Sequence, residues 1–591
     1  MCGIIGYVGQ NKKALNVLIN GLEHLEYRGY DSSGVAYILD DKLIIKKATG
    51  RIINLKNNLD FTHKSNIGIG HTRWATHGIP NEINAHPHRC ENITIVHNGI
   101  IENYLSIKKE LIDKGYKFLS ETDTEVAATL LYDLYKENND IIKAIQSFKT
   151  IVSGSYAIAI ICDNEKEALY AIKKNSPLII GIGENENFIA SDVPAIVDYT
   201  NKYITLDDGN YAKILKDKVI IYNNNNQIVT PQVKTFSSTS ESISKNGYDH
   251  YMLKEIYEEP DVIKKIINTT NLLDLKKYHK IVIVACGSAM HAGLIGKNLI
   301  EKYVLIPTEV EIASEFRYKK LFIDKDTLVI AISQSGETAD TLEAIKIAKK
   351  YGSDTLGIIN VKESSIARET KYVIYTEAGR EIAVATTKAY LAQVAVLALL
   401  AYKNTSDINQ IEIKEFLKSL KELPIIIEKV LNNTDNFKQI AKKIYKNNNI
   451  FYIGRGIDYA ICMEGSLKLK EISYIHSEAF AAGELKHGTI SLIENGTPVI
   501  GVVTDKTIAD KTISNLKEVS SRGAYVIYIT TTNIDTEGDF YNDKIVIPEV
   551  NYLLQPLVTI IPLQLISYYV AKLKNCDIDK PKNLAKSVTV E

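Results

Sequence analysis

Short apolar runs separated by Gly and Asn fill the chain up to about Tyr222. Ile93-Thr94-Ile95-Val96 and Tyr156-Ala157-Ile158-Ala159-Ile160-Ile161 have the length and the β-branched or aromatic content of strands. Between them, apolar positions recur at helical spacing from Val126 to Tyr135, after the acidic stretch Glu121-Thr122-Asp123-Thr124-Glu125. The mixture predicts layered α and β structure over residues 2–222. The pattern then lapses: an Asn run at Asn223–Asn226 and the segment Ser237-Ser238-Thr239-Ser240 predict a linker over 223–247. Beyond it, buried-type strands (Lys280–Ala285, Thr327–Ile332, Thr355–Ile359) alternate with helical segments, which predicts parallel sheets covered by helices on both faces. A strand running into a glycine and a helix occurs twice, at Cys286-Gly287-Ser288-Ala289 and, after Ile450–Ile453, at Gly454-Arg455-Gly456. We therefore expect two similar doubly wound α/β subdomains, 248–430 and 431–575, followed by a tail over 576–591.

Composition narrows the class. At roughly 150 residues per domain, 591 residues make about three or four domains. Seventy basic against 71 acidic residues, with 24% charged and 45% hydrophobic, disfavour a polyanion binder or a disordered chain. The chain is thus expected to bind no nucleic acid. The six cysteines (Cys2, Cys90, Cys162, Cys286, Cys462, Cys576) stand singly, so neither a disulfide framework nor a thiolate zinc site is favoured. The start, Met1-Cys2-Gly3-Ile4-Ile5-Gly6, lacks the basic flank and apolar core of a secretory signal. Leu553–Ala571 carries no charge over 19 residues, but Gln555, Pro556, Pro562 and Gln564 favour a buried loop and helix over a membrane span. A cytosolic location in a reducing compartment, with no membrane partner, is the expectation.

Chemistry enters at the chain start. A small residue at position two permits removal of Met1, leaving Cys2 with a free α-amine that titrates near pH 7.7–8.0 and so can act as base for its own thiol. Asn98-Gly99, read as a tight turn just past the strand Ile93–Val96, offers a side-chain amide and a backbone N–H to a developing oxyanion. By position alone, Cys2 reads more readily as a small residue in an edge strand. The blocks Cys2–Gly6, Glu26-Tyr27-Arg28-Gly29-Tyr30-Asp31-Ser32-Ser33-Gly34, His71-Thr72-Arg73-Trp74-Ala75-Thr76-His77-Gly78, His86-Pro87-His88, His97-Asn98-Gly99 and Glu121–Glu125 together resemble the class II glutamine amidotransferase domain, an N-terminal-nucleophile hydrolase of αββα layers. The resemblance implies that Arg73 clamps the glutamine α-carboxylate, a role suited to a planar guanidinium fork. It implies that Asp123 holds the ammonium and that Thr76, His77 and Gly99 complete the pocket. By the same likeness Trp74, the one tryptophan, gates a passage for ammonia. The cluster His77, His86, His88 and His97 lacks paired helical spacing such as H-E-x-x-H, so no metal is expected, and no cofactor is implied.

A second chemistry lies downstream. Ser333-Gln334-Ser335-Gly336-Glu337-Thr338 follows a strand and leads into a helical pattern, where hydroxyls and free N–H groups suit an anion. Without the G-x-x-x-x-G-K-[ST] spacing, a monophosphate fits better than a nucleotide triphosphate. Alone, the hexapeptide also reads as a simple helix cap. With Cys286-Gly287-Ser288, Ala313–Tyr318, Glu377-Ala378-Gly379, Thr387-Lys388, Lys468–Ser473, Gly483–Gly488 and the terminal Asn583–Glu591, it resembles the paired sugar isomerase (SIS) domains of the glutamine:fructose-6-phosphate aminotransferase family, in order over essentially the whole chain.

That resemblance implies that Ser288, Ser333, Gln334, Ser335 and Thr338 hold a sugar phosphate. Lys586 would form a Schiff base with the ketose, Glu471 would shuttle a proton between C1 and C2, and Lys468 would stabilise charge on the open-chain intermediates. His487 would open the sugar ring from a partner subunit, which implies a homodimer. Two positions depart from the family pattern: Ala289 stands where a serine commonly contacts substrate, with Ser288 in place of a threonine, and Thr489 stands where proline follows Lys-His-Gly. A missing hydroxyl contact would weaken sugar binding by the order of 1 kcal/mol. The reaction implied is glutamine plus fructose 6-phosphate to glutamate plus glucosamine 6-phosphate, with ammonia passed between two sites. A related phosphosugar aminotransferase or deglycase, and a non-catalytic sugar-phosphate sensor, stay open as alternatives.

Overall fold

The alternating runs of the first region pair into two antiparallel sheets. The computed structural model describes residues 2–11, 13–236, 244–268, 272–406 and 410–589. It divides into two units, Met1–Ile243 with Ala585–Glu591, and Ser244–Leu584.

In the first unit, an eight-stranded sheet has Gly3–Gly9 near its centre, between Ile67–Arg73 and Glu186–Ala190. A seven-stranded sheet has Ile93–Ile101 paired with Gly154–Cys162. One core, with Ile4, Ile69, Val96, Ala157 and Ala159, gathers side chains of both sheets. A second core packs the helix Ala14–Leu25 on the outer face of the first sheet. A third packs Asp123–Asn138 and Ile141–Ile151 on the outer face of the second. These three cores make four layers, α-β-β-α. The helix Asp123–Asn138 starts where Thr122 accepts from the Glu125 N–H at 3.2 Å and stops at Asn139, whose left-handed φ of 51° lets its N–H bond to the Tyr135 carbonyl.

Two expectations shift. Asn98 and Gly99 do not turn: the strand continues to Ile101, with Asn98 opposite Ala157 and Gly99 opposite Tyr156. An Asn-Gly pair signals a turn locally, but here the pairing with Gly154–Cys162 holds the chain extended on both sides of Gly99, whose φ of +131° only glycine adopts easily. The segment expected as a linker over 223–247 contributes two short strands, Ile228–Val229 and Lys234–Thr235, one to each sheet. Ser237–Ser240 of that segment lie outside the described residues, as do Val590 and Glu591 of the terminal motif.

The second unit holds two five-stranded parallel sheets of one topology. The first runs Thr308–Ile312, Lys280–Ala285, Thr327–Ser333, Asp354–Ile359, Tyr372–Tyr375. The other runs His476–Ala481, Asn449–Gly454, Pro498–Val503, Tyr525–Thr531, Asp543–Ile547. Central strands such as Thr327–Ser333 are buried along their whole length, as strands covered on both faces must be. The duplication expected from the sequence is therefore structural. The uncharged stretch becomes the helix Gln555–Leu573; 83% of its most apolar 18 residues are buried, and its side chains join the core shared by both halves. Length and apolar composition alone would suit a membrane span, but this helix is covered by protein.

One buried acid sits in that core. Glu259, at the start of helix Glu259–Ile266, is fully buried beside the Gln564 amide. Burial first, and then the charge of Glu381, push its pKa well above the carboxylate range. The folded state therefore keeps a proton that the unfolded chain releases near pH 4.3, so stability falls as pH rises from there toward the folded pKa. Glu259→Gln, neutral at every pH, is expected to melt several degrees above the wild type at pH 8 and to close most of that gap at pH 5. Parallel melting curves for both proteins would contradict a neutral Glu259.

Candidate active sites

Cys2 precedes the central strand Gly3–Gly9, which leaves no room for a side chain at its first residue: a Cβ on Gly3 would lie 2.7 Å from both Leu25 Cβ and Thr72 Oγ1. The Cys2 thiol rests against the backbone of Trp74, accepting from its N–H at 3.3 Å, with the Trp74 carbonyl at 3.6 Å. Burial pushes the thiol pKa up, partly offset by the Trp74 N–H and the Arg73 charge. Asn98 donates to the Cys2 carbonyl at 2.9 Å. Its own carbonyl oxygen accepts from His71 Nε2 at 3.1 Å, which also donates to the His97 carbonyl at 3.0 Å. Burial lowers the His71 pKa to about 3, so the ring is neutral, and these two acceptors assign its proton to Nε2. The amide of Asn98 is thereby fixed with its NH2 toward Cys2.

A narrow cleft surrounds this thiol, lined by Arg73, Trp74, Thr76, His77, Gly99 and Asp123 together with His86, His97, Thr122 and Thr124. All the residues expected for glutamine thus meet in one place. Arg73 is buried and donates to the carbonyls of His77, Gly78 (3.0 Å) and Ile79 (3.5 Å), holding the loop that frames the cleft. Asp123, in the first turn of its helix, accepts from the Ile101 N–H at 2.8 Å. Thr76 Oγ1 lies 3.3 Å from His77 Nδ1. In the histidine cluster the His71 and His86 rings stack 4.0 Å apart, His86 and His88 meet edge-on at 5.0 Å, and burial pushes His86, His88 and His97 below the ordinary imidazole pKa. Sequence reading assigned no role to His71, although it opens the His71-Thr72-Arg73 block.

In the second unit, the Ser333–Thr338 loop lies at the carboxyl end of its strand, beside the point where strand order reverses, the usual ligand position in open parallel sheets. Ser333 Oγ accepts from the Gly336 N–H at 3.0 Å and lies 3.2 Å from Thr338 Oγ1. Gly336 has φ +65°, and a Cβ there would lie 1.9 Å from Ser364 Oγ, so the loop needs glycine. Thr338 caps the helix Ala339–Lys350 without spending its hydroxyl on a cap bond.

The neighbouring acid and base groups come from the other half. Helix Ile457–Ser473 carries Glu464, Lys468 and Glu471 at i, i+4 and i+7, one face of a helix. Lys468 is completely buried, 2.5 Å from Glu471 and 3.4 Å from Glu464. Burial alone would lower its pKa, but the two carboxylates outweigh it and raise the pKa, keeping the ammonium charged. Glu464 also accepts from Ser288 Oγ and pairs with His291, both at 2.8 Å. Ser288, expected at the phosphate, therefore spends its hydroxyl on Glu464. Glu464 and His291 were not anticipated, though the i, i+4, i+7 spacing from Glu464 to Glu471 was a readable signal. His487 is exposed just after the short helix Glu484–Lys486. Lys586 is half-buried and falls with Ala585–Glu591 in the first unit, whereas Glu471, Lys468 and Ser333–Thr338 fall in the second.

An amidohydrolase-like αββα unit with an N-terminal thiol, joined to a duplicated parallel-sheet unit with a hydroxyl-rich loop, defines an amidotransferase of phosphosugar type. The family described as glutamine amidotransferase domain matches residues 71–198, and that described as SIS domain matches 274–403 and 443–574. The chain is similar to the "Glutamine--fructose-6-phosphate aminotransferase [isomerizing]" of Clostridium tetani, 48% identical with 100% of each chain covered. The protein of that name from Thermococcus kodakarensis is 45% identical over 100% of each chain. Among solved structures, the C-terminal domain of glucosamine-fructose-6-phosphate aminotransferase from Francisella tularensis is 40% identical, covering 57% of this chain and all of its own, with a TM-score of 0.55. The chain belongs to the glutamine–fructose-6-phosphate aminotransferase (isomerizing) family.

Proposed function

We propose that the protein converts fructose 6-phosphate and glutamine to glucosamine 6-phosphate and glutamate. The observation that carries this reading is the cleft in which Cys2, the His71-locked Asn98 and the residues Arg73, Thr76, His77, Gly99 and Asp123 converge, in a chain that matches its family end to end.

After removal of Met1, the Cys2 amine takes the thiol proton and the thiolate attacks the glutamine amide carbon. Asn98 and Gly99 donate to the oxyanion, ammonia leaves, and water cleaves the thioester to glutamate. Arg73 and Asp123 orient the glutamine carboxylate and ammonium, and Trp74 guards the ammonia exit. At the sugar site, Ser333, Gln334, Ser335 and Thr338 hold the phosphate. The Lys586 amine condenses with the ketose C2, releasing water; ammonia then replaces the lysine. Glu471 moves a proton from C1 to C2, and Lys468 balances the negative charge of the enol-like intermediate. His487 of a second copy opens the ring, so the active form is a homodimer.

Incubation with glutamine and fructose 6-phosphate is expected to yield glutamate and glucosamine 6-phosphate in equal amounts. Glutamate without amino sugar would overturn the coupled reaction. Gly99→Ala tests the oxyanion side: its Cβ would lie 2.0 Å from the Ser155 carbonyl, at a φ only glycine tolerates. Strain of about 1–3 kcal/mol plus that clash must displace the strand beside Cys2. Glutamine hydrolysis is expected to fall at least ~100-fold, the loss typical of one oxyanion donor. Wild-type hydrolysis in this variant would remove Gly99 from the proposal.

A further inference from the structure

Helix Ile457–Ser473, which carries Glu464, Lys468 and Glu471, ends in a residue that suits its backbone poorly. Tyr474 closes the helix with a left-handed φ of 59° and ψ of 17°, its N–H bonding to the Lys470 carbonyl at 3.2 Å. Glycine or asparagine is the ordinary choice at such a helix end, because a Cβ crowds the neighbouring carbonyl in that conformation. A tyrosine kept there at a cost in strain argues for a task of its side chain.

The side chain meets the end of the chain. The Tyr474 hydroxyl accepts from the Lys582 N–H at 2.8 Å, and the Lys582 ammonium lies 4.5 Å from the centre of the same ring. Three residues earlier, the buried Asp579 is pinned as well. Its carboxylate accepts from the N–H groups of Tyr251 and Met252, both at 3.0 Å, and its carbonyl from the Val384 N–H at 2.9 Å. All these contacts fall within the second unit. Lys586 stands four residues beyond Lys582. Fully extended, those four residues reach no more than about 14 Å, so the hold on Lys582 limits where the chain can deliver the lysine. We infer that Tyr474 is a positioning residue for the sugar reaction: from the end of the helix that bears Glu471 it fixes the stretch of tail that presents Lys586, a role that rests on the reading of Lys586 as the Schiff-base amine.

Two variants of the full chain separate this role from a structural one. Tyr474→Phe removes the hydroxyl and keeps the ring; Tyr474→Gly removes the whole hold and suits the left-handed backbone. Both are expected to melt within a few degrees of the wild type and to hydrolyse glutamine at its rate. The kcat for isomerisation of fructose 6-phosphate is expected to fall about tenfold in Tyr474→Phe, as for one lost hydrogen bond, and on the order of 100-fold in Tyr474→Gly, as for a displaced reacting group. KM should not change, because the Ser333–Thr338 loop is untouched. Borohydride trapping of fructose 6-phosphate on Lys586, read by peptide mass, is expected to weaken in the same order. Wild-type kcat and trapping in either folded variant would overturn the inference alone, and so would a loss seen in KM with kcat unchanged. A wild type that traps no sugar on Lys586 would overturn the Schiff-base reading and the inference with it. Should Tyr474→Gly fail to fold, judged by its melting curve, Tyr474→Phe decides.

Discussion

Cys2→Ala is expected to abolish glutamine-dependent formation of amino sugar, a fall on the order of 10⁴-fold or more, as when the nucleophile of a covalent mechanism is deleted. Among the side chains lining the cleft, Cys2 alone offers a thiol, and no lysine or serine is present to replace it. The fold around it stays intact, because the thiol's hydrogen bonds among the described residues are to the Trp74 backbone and the strand behind it is held by main-chain pairing. Isomerisation of fructose 6-phosphate, which needs only the second unit and the tail, is therefore expected to stay measurable. Glutamate release, amino-sugar formation and isomerisation would be followed in parallel; full glutamate release by the variant would sink the assignment. Burial raises the thiol pKa, so the resting group is protonated and needs a base. The amine proposed for that role exists on Cys2 only after Met1 is removed, and an intact mass of active protein that retains Met1 would count against it.

Glu471→Gln is expected to lower both amination and isomerisation by about 10²–10⁴-fold, the usual contribution of a positioned acid–base group, with glutamine hydrolysis retained. The substitution keeps the side chain's size and removes its charge. Lys468 keeps Glu464 as counter-ion at 3.4 Å, so the buried ammonium is not orphaned and the melting curve should change little. Isomerisation within a few-fold of wild type would make Glu471 merely the second counter-ion of Lys468.

Much of this was legible without coordinates. The two sheet classes followed from period: alternating short runs gave antiparallel sheets over residues 2–222, and continuous apolar strands separated by helices gave the two parallel ones. The cleft around Cys2 was legible too, because its residues cluster in the short blocks around Cys2, Arg73, Asn98 and Asp123. Other features were hidden by the limits of local signals. Asn98-Gly99 carries turn chemistry, and only the partner strand Gly154–Cys162 keeps it extended. Asn223–Gly247 has linker composition, yet two of its short stretches add to sheet edges built by distant strands.

By itself, the sequence determined the layers, the duplication and the candidate reactive groups, since periodicity and residue chemistry are properties of the chain. Tertiary structure decided the states of those groups. Burial among three other imidazoles makes His71 a neutral donor that aims Asn98. Two carboxylates within 3.4 Å keep a completely buried Lys468 charged. Protonation is set by desolvation and by the groups that folding packs around a side chain, and it cannot be read from spacing along the chain.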